Sequence, residues 1–173
     1  DWFPSRGEAT FGETIMDITK LPGIRGITRT DGGWRMGAAT RWSDIIKADL
    51  PPCFDGLKLS AHEVGSVQIQ NAGTIAGNLC NASPAADTTP ALIAAGARIV
   101  ISGPTGTREI PAEEMTTGPG RTTLAKGELV EAVRLPTRAA RSGDAYLRFI
   151  PRTEMDIAVV GAGVSLSFDD AGM

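Results

Sequence analysis

Apolar and polar residues alternate early in the chain, in a pattern that is typical of β-strands. Residues 24–38 alternate on both sides of the turn dipeptide Asp31-Gly32 and predict a β-hairpin. A short strand is expected before it, over residues 13–18. The spacing then becomes helical, and we expect a helix that Thr40 caps and that Pro51-Pro52 ends.

The pattern changes twice in the next forty or so residues. Apolar positions at i, i+4 and i+7 predict a second helix over 56–64. Between residues 65 and 90 the helical period is lost, and small and hydroxyl-bearing residues dominate. A long irregular run inside a compact domain is usually functional. A short helix is expected after it, with Thr89 as N-cap, Pro90 at its first position and Gly96 beyond its end.

Strands dominate the remainder of the chain. They are expected over residues 98–102, 107–110, 129–135, 145–149 and 157–168. Helices followed by strands are typical of an α+β fold. We predict three regions, which cover residues 1–54, 55–139 and 140–173.

Composition excludes several functional classes. A net charge of -3 without a broad cluster of Lys and Arg argues against nucleic-acid binding, and no apolar run is long enough to predict a membrane span. Cys53 and Cys80 are the only cysteines, too few for a disulfide scaffold or a four-thiolate metal site. With His62 as the sole histidine, we predict no metal site, no catalytic triad and a reduced, cytoplasmic protein.

Three glycine-rich segments are candidates for a phosphate-binding loop. Gly161-Ala162-Gly163 begins like a dinucleotide fingerprint, but the residues that follow alternate as in a strand, so these glycines indicate close packing. Residues 103–106 lack the Gly-Lys-Ser/Thr ending of a P-loop and predict a hairpin turn. Residues 73–78 are the remaining candidate.

The segment 73–78 has the residue types that a phosphate or polyol site needs. Gly73 and Gly77 would let the backbone turn its N–H groups outward, and Thr74 and Asn78 add side-chain donors. The same residue types also build ordinary turns, so both interpretations stay open on the pattern alone.

A longer run around this segment resembles a known family. Residues 68–87 contain Gln-Asn-x-Gly-Thr-Ile-x-Gly-Asn followed by Ser-Pro-x-x-Asp, and so resemble the flavin-binding segment of the molybdenum hydroxylases. The relevant part of that family is the medium, FAD-binding subunit or domain of xanthine and carbon monoxide dehydrogenases. Further similarities are Met36-Gly37-Ala38-Ala39-Thr40, Thr123-Leu124 with Gly127-Glu128-Leu129, Arg148-Phe149 and Asp156-Ile157-Ala158.

The resemblance implies non-covalent FAD in a two-subdomain α+β fold similar to the vanillyl-alcohol oxidase, or PCMH, type. The sequence departs from the family pattern at Ala76, where the family often has a glycine. Alanine is tolerable at this position only if its φ is negative. For Asp87, a helix-cap role is the alternative to a cofactor role. The implied cofactor-binding residues are Gly73, Thr74, Ile75, Ala76, Gly77, Asn78, Ser83, Asp87 and Leu124.

The resemblance also implies an electron-transfer role without catalytic residues in this chain. Electrons would come from a molybdopterin-containing large subunit or domain through iron–sulfur clusters on a small one, and pass to NAD or another acceptor. The alternative is a flavin-free scaffold module of the same fold. Asp1 and Met173 look like cut points in a longer protein, truncated at both ends, so we expect these 173 residues alone to hold FAD weakly or not at all. Substrate, acceptor, oligomeric state and the fusion of the partners stay open.

Overall fold

The computed structural model describes residues 16–152 and 156–169, which contain short helices and antiparallel strands. The α-helices are α1 (Trp42–Lys47), α2 (Asp55–His62), α3 (Val67–Ala72), α4 (Ile75–Asn81) and α5 (Thr88–Ala94). The strands are β1 (Ile27–Thr30), β2 (Gly33–Gly37), β3 (Arg98–Gly103), β4 (Gly106–Pro111), β5 (Thr116–Gly118), β6 (Arg121–Thr122), β7 (Leu129–Pro136), β8 (Ser142–Phe149) and β9 (Val160–Ser167).

Five strands form one antiparallel sheet in the order β1-β2-β7-β3-β4, while β5-β6 and β8-β9 pair separately. The hairpin predicted around Asp31-Gly32 is confirmed as β1 and β2. Because β2 pairs with β7, the sheet contains strands from both sides of the predicted boundary at residue 54. The division into three regions stays a prediction.

The main core lies between this sheet and the helices. Sheet residues such as Met36, Ile99 and Val133 are fully buried with Trp42 and Leu79 of the helices. The sheet also carries ion pairs, between Arg35 and Glu131 at 3.0 Å, between Arg108 and Glu128 at 2.8 Å, and from Glu109 to both Arg98 and Arg134. An antiparallel sheet with one face on the core and one face toward water has this distribution of side chains.

The start of α1 differs from the prediction. Arg41 occupies the N-cap position, and the Thr40 hydroxyl is instead bonded to the backbone N–H and carbonyl of Gly26, at 3.0 and 3.1 Å. The prediction of Thr40 as the cap is therefore wrong, because a long-range contact takes its hydroxyl. The prediction that Pro51-Pro52 ends the helix is also wrong, since α1 ends at Lys47 and a 3₁₀ turn occupies residues 52–54.

The segment that we expected to be irregular contains two helices, α3 and α4, so that prediction is wrong. Helices of six and seven residues make fewer than two turns and show no clear apolar stripe. The following helix, α5, begins at Thr88 with Asp87 in the N-cap position, so Thr89 is not the cap. Gly96 lies beyond its end with φ +67°, as predicted for a glycine after a helix.

The later strands follow the prediction closely. The turn at residues 103–106 joins β3 to β4, and Gly161 and Gly163 lie in β9, where a Cβ at Gly163 would collide with the Pro90 carbonyl. Of the strand expected over 13–18, residues 13–15 lie outside the described residues and Ile18 begins a 3₁₀ turn. No helix within the described ranges is long and apolar enough to span a bilayer.

Candidate functional site

Thr74 is the N-cap of α4. Its Oγ1 accepts a hydrogen bond of 3.1 Å from the Gly77 N–H, which satisfies one of the donors at the start of the helix. Ile75 and Ala76 of this turn are buried, whereas Thr74 and Gly77 are half-buried. Ala76 has a negative φ, because Ala82 is the only non-glycine residue of the described ranges with a positive one.

The backbone N–H groups of this turn point into the protein. The prediction that its glycines turn these groups outward is wrong, because the protein itself supplies their acceptors. Two of these bonds, from Ile75 and Ala76, anchor helix α4 to the β2–α1 connection. The bonds run from Gly73 to the Ile69 carbonyl (2.6 Å), from Ile75 to the Thr40 carbonyl (3.0 Å), from Ala76 to the Ala38 carbonyl (3.1 Å), and from Asn78 to the Thr74 carbonyl (3.0 Å).

Tight packing, rather than an unusual backbone conformation, favours glycine at residue 73. Its φ is -66°, which any residue adopts. A Cβ there would lie 3.0 Å from the Ile69 carbonyl oxygen and 3.4 Å from Cδ1 of the buried Trp42. The indole ring of α1 therefore packs directly against the start of the candidate segment.

Asn78 connects the candidate segment to α5. The hydroxyl of the fully buried Thr88 donates to Asn78 Oδ1 at 2.5 Å. This bond orients the half-buried carboxamide, so that its NH₂ donors point away from Thr88.

Ser83 lies at the rim of a small cavity. Its side chain is exposed, and its hydroxyl accepts from the Ala85 N–H at 3.3 Å. The cavity has a volume of about 280 Å³, just below the range of roughly 300–1,000 Å³ that is usual for small-molecule sites. The cavity is lined by Ala82, Ser83, Pro84, Ala86, Thr89, Pro90, Thr116, Gly118 and Pro119.

Leu124, another residue of the predicted set, is half-buried and packs against the main core.

Asp87 does not cap α5, although it occupies the N-cap position, so the alternative helix-cap role is not supported. Its Oδ1 accepts a hydrogen bond of 2.8 Å from the Tyr146 hydroxyl, and its Oδ2 lies 3.5 Å from Nη1 of Arg148. The side chains of Asp87 and Arg148 are each only 12% exposed. Asp87 is therefore held by two side chains of β8.

Sequence reasoning missed the residues that surround Asp87. Nε of Arg148 lies 2.5 Å from Oε2 of Glu63, without the alignment of a hydrogen bond, so one guanidinium faces two carboxylates. Burial, followed by the bond to Asp87, raises the pKa of Tyr146, and the phenol stays protonated. The available signal was the alternation of polar residues along β8, at Ser142, Asp144, Tyr146 and Arg148.

Both cysteines are free thiols. Cys80 is exposed rather than a buried apolar residue, although local desolvation raises the pKa of its thiol. Cys53 is half-buried, and burial likewise raises the pKa of its thiol. In the portion of the chain that the structure describes, no three His, Cys, Asp or Glu residues are grouped as metal ligands would be.

Comparison with known proteins gives the family. The sequence profile described as "FAD binding domain in molybdopterin dehydrogenase" matches residues 5–138, and the chain belongs to this family. It is 31% identical over 159 residues to the xanthine dehydrogenase FAD-binding subunit of Escherichia coli O157:H7, covering 90% of the chain and 54% of the relative. It is 32% identical over 157 residues to the carbon monoxide dehydrogenase medium chain of Hydrogenophaga pseudoflava, covering 88% of the chain and 53% of the relative.

Solved structures agree with this assignment. The carbon monoxide dehydrogenase of Hydrogenophaga pseudoflava that lacks the Mo-pyranopterin moiety matches with a TM-score of 0.80 and 31% identity, over 86% of this chain and 52% of that one. Reconstituted CO dehydrogenase from Oligotropha carboxidovorans also gives 0.80, with 27% identity and the same coverage. The predicted α+β, PCMH-type FAD-binding fold is thereby confirmed. The chain spans about half the length of these relatives.

Proposed function

We propose that this chain holds FAD as the electron-transfer component of a molybdenum-containing hydroxylase or dehydrogenase. The observation that carries the proposal is the continuous family match over residues 5–138, which includes the whole candidate segment 73–87. The names of its relatives, FAD-binding subunit and medium chain, support the same role.

The side chains of the candidate segment suit the chemistry of FAD. Thr74 and Ser83 offer hydroxyl groups and Asn78 offers amide donors, all of which can meet phosphate oxygens. The Asp87 carboxylate can accept from the hydroxyl groups of a ribityl chain. We assign an apolar contact to Leu124 and the close approach of the cofactor to Gly77, which are both half-buried. The buried Gly73, Ile75 and Ala76 would hold this turn in position from the core side.

The N–H groups at the start of α4 are bonded within the protein, so the proposed contacts to FAD come from side chains. The glycine pattern of the sequence predicted backbone donors instead. The Thr74 hydroxyl illustrates how this works. Its oxygen accepts from Gly77 N–H, and its proton can be donated to a phosphate at the same time.

Bound FAD supplies reversible transfer of one or two electrons, and the protein supplies position and polarity. We propose that the electrons come from a molybdopterin-binding large subunit by way of iron–sulfur clusters on a small subunit. NAD or another acceptor would receive them. The name medium chain, used for relatives, supports an assembly of subunits of different sizes. We also propose a cytoplasmic location, which suits the two free thiols.

The test is the FAD content of glycine variants at residue 77, measured by absorbance after purification of the protein with its partner subunits. We expect Gly77→Val to lose FAD, because a branched side chain beside the Thr74 hydroxyl blocks the approach of the cofactor. Gly77→Ala is the helix control, since alanine favours a helix over glycine by roughly 0.5–1 kcal/mol.

A second control is Gly32→Val in the β1–β2 turn, where a Cβ meets no atom within 4 Å. This variant is expected to retain FAD. A folded Gly77→Val protein with the FAD content of the wild type would refute the assignment of residues 73–78.

A flavin-free scaffold is the second candidate function. The observation that favours it is the internal bonding of the N–H groups of α4, which removes the backbone donors that a phosphate would use. A visible spectrum of the purified complex separates the two functions, because bound flavin gives absorption bands that a scaffold lacks.

A further inference from the structure

The Tyr146 hydroxyl makes the short contact to Asp87. It donates to Oδ1 at 2.8 Å, whereas Nη1 of Arg148 lies 3.5 Å from Oδ2, beyond the range of a strong hydrogen bond. Arg148 also faces Glu63, so its charge is shared between two carboxylates. Of these contacts, the tyrosine bond is the one that fixes the position of the Asp87 carboxylate.

Tyr146 is itself held in place by its surroundings. Its side chain is almost completely buried, at 3% exposure, in the middle of β8. Burial and the neighbouring carboxylate raise its pKa above the ordinary value for tyrosine, so the hydroxyl carries its proton at neutral pH. The group therefore acts as a donor toward Asp87.

Gly161 makes room for this hydroxyl. A Cβ at residue 161 would collide with the Tyr146 hydroxyl oxygen and would lie 3.1 Å from Cζ of the ring. The φ of Gly161 is not positive, so its backbone conformation alone does not require glycine. Space for the tyrosine is the physical reason for glycine at this position.

We propose that Tyr146, with the space left by Gly161, is a positioning residue that orients the Asp87 carboxylate toward the hydroxyl groups of bound FAD. This inference rests on the proposed function. A carboxylate has about four acceptor sites on its two oxygens. Tyr146 occupies one of them and sets the direction of the others. The β8–β9 hairpin thereby controls a cofactor contact that lies 59 residues away along the chain.

The experiment measures the dissociation constant for FAD, by flavin fluorescence, and the Tm of each variant in the assembled protein. Tyr146→Phe keeps the ring and removes only the donor, and Gly161→Ala displaces the hydroxyl. Both are expected to weaken FAD binding about tenfold, the size expected from one hydrogen bond to a charged group. Combined, they are expected to weaken it no more than the stronger single variant, because both act on the same bond.

Two further variants separate positioning from stability. Ser165→Ala is the matched control, because Ser165 lies on the same face of β9 and its hydroxyl bonds to Arg138 rather than to Asp87. It is expected to leave FAD affinity unchanged. In an Asp87→Ala background, Tyr146→Phe is expected to have no additional effect on affinity, because the side chain that it positions is gone.

The outcomes are distinguishable. If Tyr146→Phe and Gly161→Ala lower only the Tm and leave FAD affinity unchanged, the positioning role is refuted while the proposed function stands. Additive effects of Asp87→Ala and Tyr146→Phe on affinity would also refute it. If the wild-type protein binds no FAD, the proposed function fails, and the inference fails with it.

Discussion

Replacing Thr74 by alanine tests whether its hydroxyl serves the helix, the cofactor or both. The variant removes the 3.1 Å bond to the Gly77 N–H, and loss of an N-cap of this kind costs about 1 kcal/mol. For a domain of roughly 150–250 residues, that loss lowers the Tm by about 2–4 °C. If the hydroxyl also donates to a phosphate, FAD binding is expected to weaken by about ten- to a hundredfold.

Thr74→Ser is the matched variant, since it keeps the hydroxyl and deletes one methyl group. The residue is half-buried, so the lost methyl costs about half of the ~0.8 kcal/mol expected for full burial. Calorimetry and titration with FAD should show nearly wild-type values for serine and losses of both stability and affinity for alanine. Unchanged FAD affinity in a destabilised Thr74→Ala protein would limit Thr74 to helix capping. An unchanged Tm would refute the cap itself.

Three further predictions concern stability, each measured as Tm. The bond from Arg108 lowers the pKa of Glu128 to about 2, so this carboxylate stabilises the fold fully above its unfolded pKa and loses that contribution as the pH falls through the folded value. Glu128→Gln should therefore lower the Tm at pH 7, and its difference from wild type should shrink steadily as the pH falls toward the folded pKa. Burial raises the pKa of Asp144, so the contribution of its protonated form to stability is complete below the unfolded pKa and is lost as the pH rises through the folded pKa. Asp144→Asn should therefore raise the Tm at pH 7 but not at pH 3. Equal Tm values for variant and wild type at pH 7 would contradict this prediction. Gly163→Val should destabilise by about 1–3 kcal/mol through collision with an α5 carbonyl, whereas Gly143→Val, with no atom within 4 Å, should not.

The sequence predicts elements whose causes are local. Asp31-Gly32 favours a tight turn, and apolar and polar residues alternate on its far side at Trp34, Arg35 and Met36, so the sequence predicts β1 and β2. Alternation likewise predicts β3, β4 and β7. Gly96 was recognised because a helix frequently ends at a glycine with positive φ.

Elements with distant causes escaped prediction. Helix α4 is too short for a visible apolar stripe, and its first turn is bonded to the carbonyls of Ala38 and Thr40, more than thirty residues earlier. The glycine pattern predicts outward N–H groups because nothing in the local sequence shows that the carbonyls of Ala38 and Thr40 accept from this turn. The partners of Asp87 lie on β8, and no local pattern links a Ser-Pro-x-x-Asp segment to Tyr146.

The two glycines of β9 also determine the register of the hairpin. Gly161 and Gly163 lie on the same face, where the first leaves space for the Tyr146 hydroxyl and the second for the Pro90 carbonyl. A slip of β9 by one residue would bring Ala162 and Val164 to these places and turn the opposite face inward. A slip by two would return a glycine to only one of them. Because the backbone bonds between β8 and β9 could form in several registers, the two glycines favour the observed register by leaving space that a side chain would fill.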